Sequence, residues 1–357
     1  MRNAFNYDIL ILARQARKVS QPQLATLLDK KVSQAQLSKI EHGIIEPSKE
    51  VVAMIADALK FKPSFFYHPS YSRMPPVSFH RKRQKLGQKN LDAIHAQAEI
   101  YRLNLKKLLE SVELEFTNPP VAAIDVDQYD GDISAISEVM RQRWKLPRGP
   151  IQDITDVIEN AGVIVVSFDF GTPLIDGFCQ HACDGLPAII FMNLAQPKDR
   201  YRFSLAHELG HLVMHQVPNP EMEMQANLFA AEFLMPTKDI SSQLYNLSLQ
   251  KFMDLKLHWK VSMQALIYKS WKVGKLTDRM YKYYQVEMSK RGFKTKEPIE
   301  LTNTKESPSL LKDLINVHLN KLNYKQSDLE EIFGLYENDF NAFYPMQINK
   351  PRLRIVK

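Results

Sequence analysis

Arg202-Phe203-Ser204-Leu205-Ala206-His207-Glu208-Leu209-Gly210-His211 is the stretch that decides how the larger part of this chain folds. Its two histidines stand four apart. On a helix that spacing turns one side chain only about 40° from the other and lifts it about 6 Å along the axis, so both imidazoles reach one ion. Glu208 lies beside that ion without having to bind it, where a carboxylate can take a proton from water. Phe203, Leu205, Leu209 and Leu212 supply an apolar face to anchor the helix. A mid-helix glycine costs about 1 kcal/mol relative to alanine, so Gly210 points to another backbone or a substrate in close approach. His215, four residues further on, either meets substrate or ends the helix, and the second reading is preferred.

A catalytic zinc takes three protein ligands and keeps one position open. The acidic helix that follows offers Glu221, Glu223 and Glu232. At 100° per residue Glu223, Asn227, Ala230 and Leu234 share one face, whereas Glu232 stands about 180° and Glu221 about 160° from Glu223. Glu223 is therefore the expected third ligand beside His207 and His211. Asn227 would hold the outer nitrogen of a ligating histidine, and small Ala230 admits close helix contact.

Working outward, Arg200 to His215 and Glu221 to Leu234 read as two helices. Three strand-like runs precede them at Val163–Phe168, Gly177–His181 and Ala188–Asn193, and helices are expected around Ile133–Trp144 and Ile151–Asn160. The order is α+β, with the informative residues on helices. Cys179 and Cys183 flank His181, but they fall on a strand and loop without second-site partners for a metal. Further upstream, a long helix is expected over Leu91–Leu114, preceded by a proline-containing stretch with the basic run Arg81-Lys82-Arg83-Gln84-Lys85.

Residues 5–66 read as four or five short helices, because apolar residues recur at three- and four-residue steps between capping residues. Ile9, Leu12, Ala13 and Ala16 stripe one helix, and Ser20 caps a second that contains Leu24, Ala25 and Leu28. Ser33 caps a third, Gln34 to His42. There Leu37 and Ile40 alternate with outward Gln34, Gln36 and Lys39, a face suited to a groove.

Ser20-Gln21-Pro22-Gln23-Leu24-Ala25, Val32-Ser33-Gln34, Leu37-Ser38-Lys39-Ile40-Glu41-His42-Gly43 and Pro47-Ser48 together resemble the helix-turn-helix domains of phage-repressor type, the XRE family. The resemblance implies a DNA-binding set of Gln21, Ser33, Gln34, Ala35, Gln36 and Lys39, with Gln21 on a phosphate and the third-helix residues facing base edges. The run Arg202–His211, followed by Ala226-Asn227-Leu228-Phe229-Ala230-Ala231-Glu232-Phe233-Leu234-Met235-Pro236, resembles the ImmA/IrrE metallopeptidases. In that family the acidic ligand stands four residues before the asparagine of the second motif, which also selects Glu223. The likeness extends through Trp259-Lys260-Val261-Ser262 and Ser289-Lys290-Arg291-Gly292-Phe293. It implies one zinc per chain, with manganese as the alternative, and a protein substrate such as a helix-turn-helix repressor.

The expected fold is multidomain: an all-α helix-turn-helix domain, then an α+β zincin-like metallopeptidase domain with a small antiparallel sheet and a helical C-terminal extension. The expected boundaries are 1–67 for the DNA-binding domain, 68–90 for a basic linker and 91–240 for the peptidase core with its leading helix. A helical extension over 241–300 and a C-terminal helical segment over 301–357 complete the chain. Ser327-Asp328-Leu329 and Phe333-Gly334-Leu335 faintly echo a helix-turn-helix, but protein contact or capping is preferred there.

The 357 residues carry a net charge of +7 and are 45% apolar, enough to bury two or three modest cores. Residues 1–90 hold the basic excess, so a polyanion would meet that end first. Two cysteines, no export signal and no membrane-length apolar run lead to a reduced, cytoplasmic setting. The sequence thus points to a regulator that binds double-stranded operator DNA and hydrolyses a peptide bond in a repressor, derepressing stress or mobile-element genes. A homodimer is compatible with that partner set. The rival readings are a zinc-domain transcription repressor without turnover and an antitoxin-like regulator.

Overall fold

The computed structural model describes residues 4–69, 86–301 and 306–345. They fall into two compact units, one formed by 4–69, 86–115 and 310–345, the other by 116–301 and 306–309. The basic run Arg81-Lys82-Arg83 and most of the expected linker lie outside the described residues.

The first unit opens with α1 (Tyr7–Ala16), α2 (Gln21–Leu27), α3 (Gln34–Glu41) and α4 (Lys49–Leu59). Their starts are written in the sequence. Ser20 and Ser33 each close a capping box with the glutamine three residues on, and Ser48 caps α4. Inside, Ile9, Leu12, Leu24, Leu37, Ile55 and Leu59 are buried together. Glu41 ties the helices with a two-pronged pair to Arg14 at 2.6 and 2.8 Å.

Next comes α5 (Gln88–Leu109), which begins and ends a few residues before the expected helix. Its buried positions run from Ala93 to Leu108 and include Glu99, Arg102 and Asn104, so no side of it is left for solvent over much of its length. Such a helix needs neighbours all round. It lies along α1. The expectation that it leads the peptidase core therefore differs from its place in the first unit.

The second unit follows in chain order: α6 (Ile133–Arg143), α7 (Ile154–Glu159), β1 (Ile164–Phe168), β2 (Gly177–Gln180), β3 (Ile189–Asn193), α8 (Lys198–Met214) and α9 (Met222–Leu234). Then come α10 (Thr237–Ile240), α11 (Leu249–Trp259), α12 (Met263–Lys272) and α13 (Asp278–Lys290). The sheet has the order β1-β3-β2, with β3 parallel to β1 and antiparallel to β2. It is mixed rather than wholly antiparallel. Residues 169–176 carry the chain past the central position, which β3 fills with five buried residues. Val165, Ile190, Leu205, Leu209, Phe229 and Phe233 share one core that joins the sheet to α8 and α9.

Buried charge fastens the end of this unit to α8. Arg202 pairs with Glu306, which also accepts from the Ile154 amide at 3.0 Å. Lys256 binds both Asp199 and Glu297, the latter at 2.6 Å, and Glu297 accepts from the Met263 amide.

The chain then completes the first unit with α14 (Leu310–Asn320), α15 (Gln326–Phe333) and α16 (Glu337–Phe343), and α14 and α15 pack on α5. Asn104 donates to the Tyr344 hydroxyl at 2.7 Å and Arg17 grips Asp339. Gly334 is required here. It sits at φ +63°, and a Cβ on it would lie 2.5 Å from the Phe65 Cβ and 2.8 Å from the Phe65 nitrogen. No helix among the described residues is long and apolar enough to cross a membrane.

Candidate metal centre and nucleic-acid surface

His207, Glu208 and His211 all lie on α8, buried against the sheet and α9. The pairing with α9 is close because Gly210 has no side chain: a Cβ there would stand 3.3 Å from the Ala226 Cα and 3.1 Å from the Phe229 ring. The glycine anticipated as a point of close approach is where α9 crosses. That approach brings Glu223, in the first turn of α9, to the two imidazoles.

The Nε2 atoms of His207 and His211 are 3.1 Å apart. Glu223 places Oε2 3.6 Å from the first and Oε1 3.5 Å from the second. The three residues are a group that could hold a metal ion, with one donor atom of each inside a 4.8 Å span. Glu208, Glu221 and Glu232 are not in it. Glu232 instead accepts from the Thr237 amide at 2.7 Å and pairs with Lys269, so it caps α10.

Hydrogen bonds on the far side of each ring fix which nitrogen faces the centre. The Asn227 amide donates to the Glu223 carbonyl at 2.8 Å, which turns its oxygen to His207 Nδ1 at 3.1 Å; that nitrogen must be the protonated one. His211 Nδ1 meets His215 Nδ1 at 2.9 Å, and His215 Nε2 donates to the Gln225 side-chain oxygen at 2.9 Å. Burial lowers the pKa of His215 to about 4, so it is neutral and its Nδ1 accepts. His211 therefore donates from Nδ1. With both rings neutral, each Nε2 carries the lone pair and faces the other, an arrangement that a cation between them relieves. Donors bonded tetrahedrally at about 2.0–2.1 Å stand roughly 3.3 Å apart, close to the separations here, so the residues fit zinc.

Glu208 sits one residue round from His207, facing β2. A Cβ on Gly177 would lie 3.5 Å from its Cγ. The Cys179 thiol neighbours it from the same strand, and burial first, then the Glu208 charge, raise that thiol's pKa well above the usual value. His215 ends α8, as expected, but it is also the residue that orients His211. Sequence reasoning did not assign that role, although the His211–His215 spacing of four was its signal. His181 donates to the His215 carbonyl at 3.0 Å, and Tyr201 meets Ser167 at 3.4 Å with its pKa pushed by burial to about 12. Cys179, Cys183 and His181 form no metal group among the described residues.

Residues 158–270 match the family model of the IrrE N-terminal-like domain, Peptidase_M78. Residues 10–66 match a helix-turn-helix family model. No curated protein matches the chain at a significant level. The chain thus carries an XRE-type helix-turn-helix and, after it, an ImmA/IrrE-type metallopeptidase-like domain. The IrrE-like span contains the whole sheet together with α8 and α9, so it holds all three donors and Glu208.

The helix-turn-helix implies DNA binding. On α3, Gln34, Ala35, Gln36 and Lys39 are exposed, the condition for reaching a groove. Three of the expected contacts have other duties as well. Ser33 and Gln36 are committed to the capping box, in which Gln36 Oε1 accepts from the Ser33 amide at 2.8 Å. The Gln21 amide donates to Glu41 at 2.7 Å, so a phosphate contact from it would compete with that bond.

Proposed function

We propose that this protein is a DNA-binding transcription regulator with zinc metallo-endopeptidase activity, whose substrate is a repressor protein. The observation that carries the reading is the convergence of the His207 and His211 Nε2 lone pairs and the Glu223 carboxylate beside buried Glu208. His207, His211 and Glu223 would hold one zinc, with manganese as the alternative. Zinc, when bound, supplies Lewis acidity near neutral pH.

The chain's own residues do the rest. Glu208 accepts the proton of the attacking water and returns it to the leaving amine. Asn227 and His215 keep the two ligating rings in the tautomer and orientation that expose Nε2. Gln34, Ala35, Gln36 and Lys39 read base edges, while Gln21 and Ser33 flank the phosphates. Derepression follows from loss of the cleaved repressor.

The test is to incubate the purified, zinc-loaded protein with helix-turn-helix proteins encoded near its gene and to map fragments by mass spectrometry. A discrete cut that disappears with Glu208→Gln is the expected result. Tight zinc binding with no cleavage of any such protein would favour a zinc-domain repressor without turnover.

A further inference from the structure

The first unit contains a cavity of about 350 Å³ whose walls come from three separate stretches of chain. One is the turn after α4, at Ser64 to Pro69; the second is the C-terminal end of α5; the third runs from His318 at the end of α14 into α15. The IrrE-like domain contributes nothing to it.

Its wall is unusually rich in rings. Tyr67, His68, His318, Tyr324 and Phe333 all line it. Both histidines are deeply buried, His68 at 7% and His318 at 2% exposure. His318 Nδ1 donates to the Leu314 carbonyl at 2.8 Å, which leaves Nε2 as the ring's other polar atom. Among the described residues neither that Nε2 nor the ring nitrogens of His68 make a hydrogen bond. Burial holds His68 neutral, with a pKa lowered to about 4, so its ring offers one N–H and one lone pair.

The charged groups on the wall are already matched. Lys107 pairs with Glu110 at 3.0 Å and Glu331 with Lys62 at 3.3 Å. A phosphate or carboxylate would find no unmatched cation there. What remains is a partly open pocket that mixes ring surface with uncharged donors and acceptors, with a volume at the small end of ligand pockets. Aromatic side chains favour planar partners, and imidazole nitrogens without a protein partner favour a ligand with its own N–H and ring nitrogens.

We propose that this cavity is a binding site for a neutral, planar nitrogen heterocycle of nucleobase or nucleoside size. Its lining lies wholly in the unit that carries the helix-turn-helix and includes no residue of the metal centre, so a ligand there would act on the DNA-binding unit.

The probe is 2-aminopurine riboside, whose fluorescence falls when it stacks on an aromatic ring, titrated into the full-length protein. Saturable quenching is expected, with displacement by adenosine and at least about tenfold weaker displacement by adenosine 5′-monophosphate. Tyr324→Ala, at the partly exposed rim, and His318→Gln should each weaken the probe about tenfold or more, and removal of metal by chelation should leave binding unchanged. If His318→Gln fails to fold, Tyr324→Ala carries the comparison. Absence of saturable quenching up to millimolar probe would overturn the proposal. So would quenching that both folded variants retain in full, or that chelation abolishes, because the probe would then sit elsewhere.

Discussion

At the scale of single residues, Glu223 and Glu232 set the proposed ligand apart from a packing residue. Both are acidic residues of α9, yet one faces the two Nε2 atoms and the other caps α10 with Lys269. Glu223→Ala should strip zinc from the purified protein, whereas Glu232→Ala should lower the melting temperature and leave metal content near one per chain. Metal analysis with thermal unfolding decides between them, and the reverse pattern would remove Glu223 from the ligand set. Glu208→Gln should keep the metal and lose hydrolysis by several orders of magnitude, since the base goes while the ligands stay. The convergence of His207 and His211 was legible because helical periodicity alone brings residues four apart to one side of a helix. The role of His215 was not, because it depends on which way Gln225 presents its oxygen.

His68 gives a residue-scale prediction with a definite sign. Its folded pKa of about 4 lies below the unfolded value of about 6.5, so between those pH values the unfolded chain binds more protons. The stability that neutral His68 confers is complete above pH 6.5 and is lost as pH falls toward 4, by up to about 3 kcal/mol. Denaturant unfolding at pH 7 and pH 5 measures it. His68→Phe should shrink the difference; an unchanged pH slope in that variant would assign the effect to other groups.

At the scale of elements, the seam between α8 and α9 is the vulnerable one. Gly210→Ala would gain about 1 kcal/mol of helix propensity but set a methyl 3.3 Å from a backbone carbon that cannot swing away. The helices must part by a few tenths of an ångström, and overpacking of this kind costs about 1–3 kcal/mol. Weaker zinc binding with little change in helix content is the expected outcome, read by metal competition and circular dichroism. On α3, Gln34→Ala should cost specific operator binding about 1–3 kcal/mol and leave nonspecific binding nearly unchanged. Helix starts in this region were readable from Ser20, Ser33 and Ser48, since a capping hydroxyl acts within its own turn. The mixed sheet was less so: alternating apolar residues identify three strands, but nothing local says that β3 will insert between β1 and β2.

At the scale of the whole molecule, the two ends of the chain build one unit. Arg17 meets Asp339 and Asn104 meets Tyr344 across separations of 322 and 240 residues, which no local pattern can announce. The compositional cue that was present lay in α5, whose alanines and buried polar residues leave it no solvent face. With α14 and α15 packed on it, α5 cannot keep those side chains dry if they are removed. Exposing Tyr101, Leu105 and Leu108 would forfeit about 1.5–3 kcal/mol for each large side chain uncovered, and Asn104 would lose its hydroxyl partner. A chain ending at Ser309 should therefore lose operator binding and the protease resistance of residues 4–69, although the deletion lies at the opposite end of the sequence from α3. The same truncation keeps Glu306 on Arg202 and Ser309 on Glu159, so the zinc content of the second unit should stay near one per chain. Limited proteolysis, operator titration and metal analysis on the one truncated protein test both halves of the expectation. Undiminished operator binding would show that residues 4–69 stand without α14 to α16, and loss of zinc would show that the two units do not fold separately.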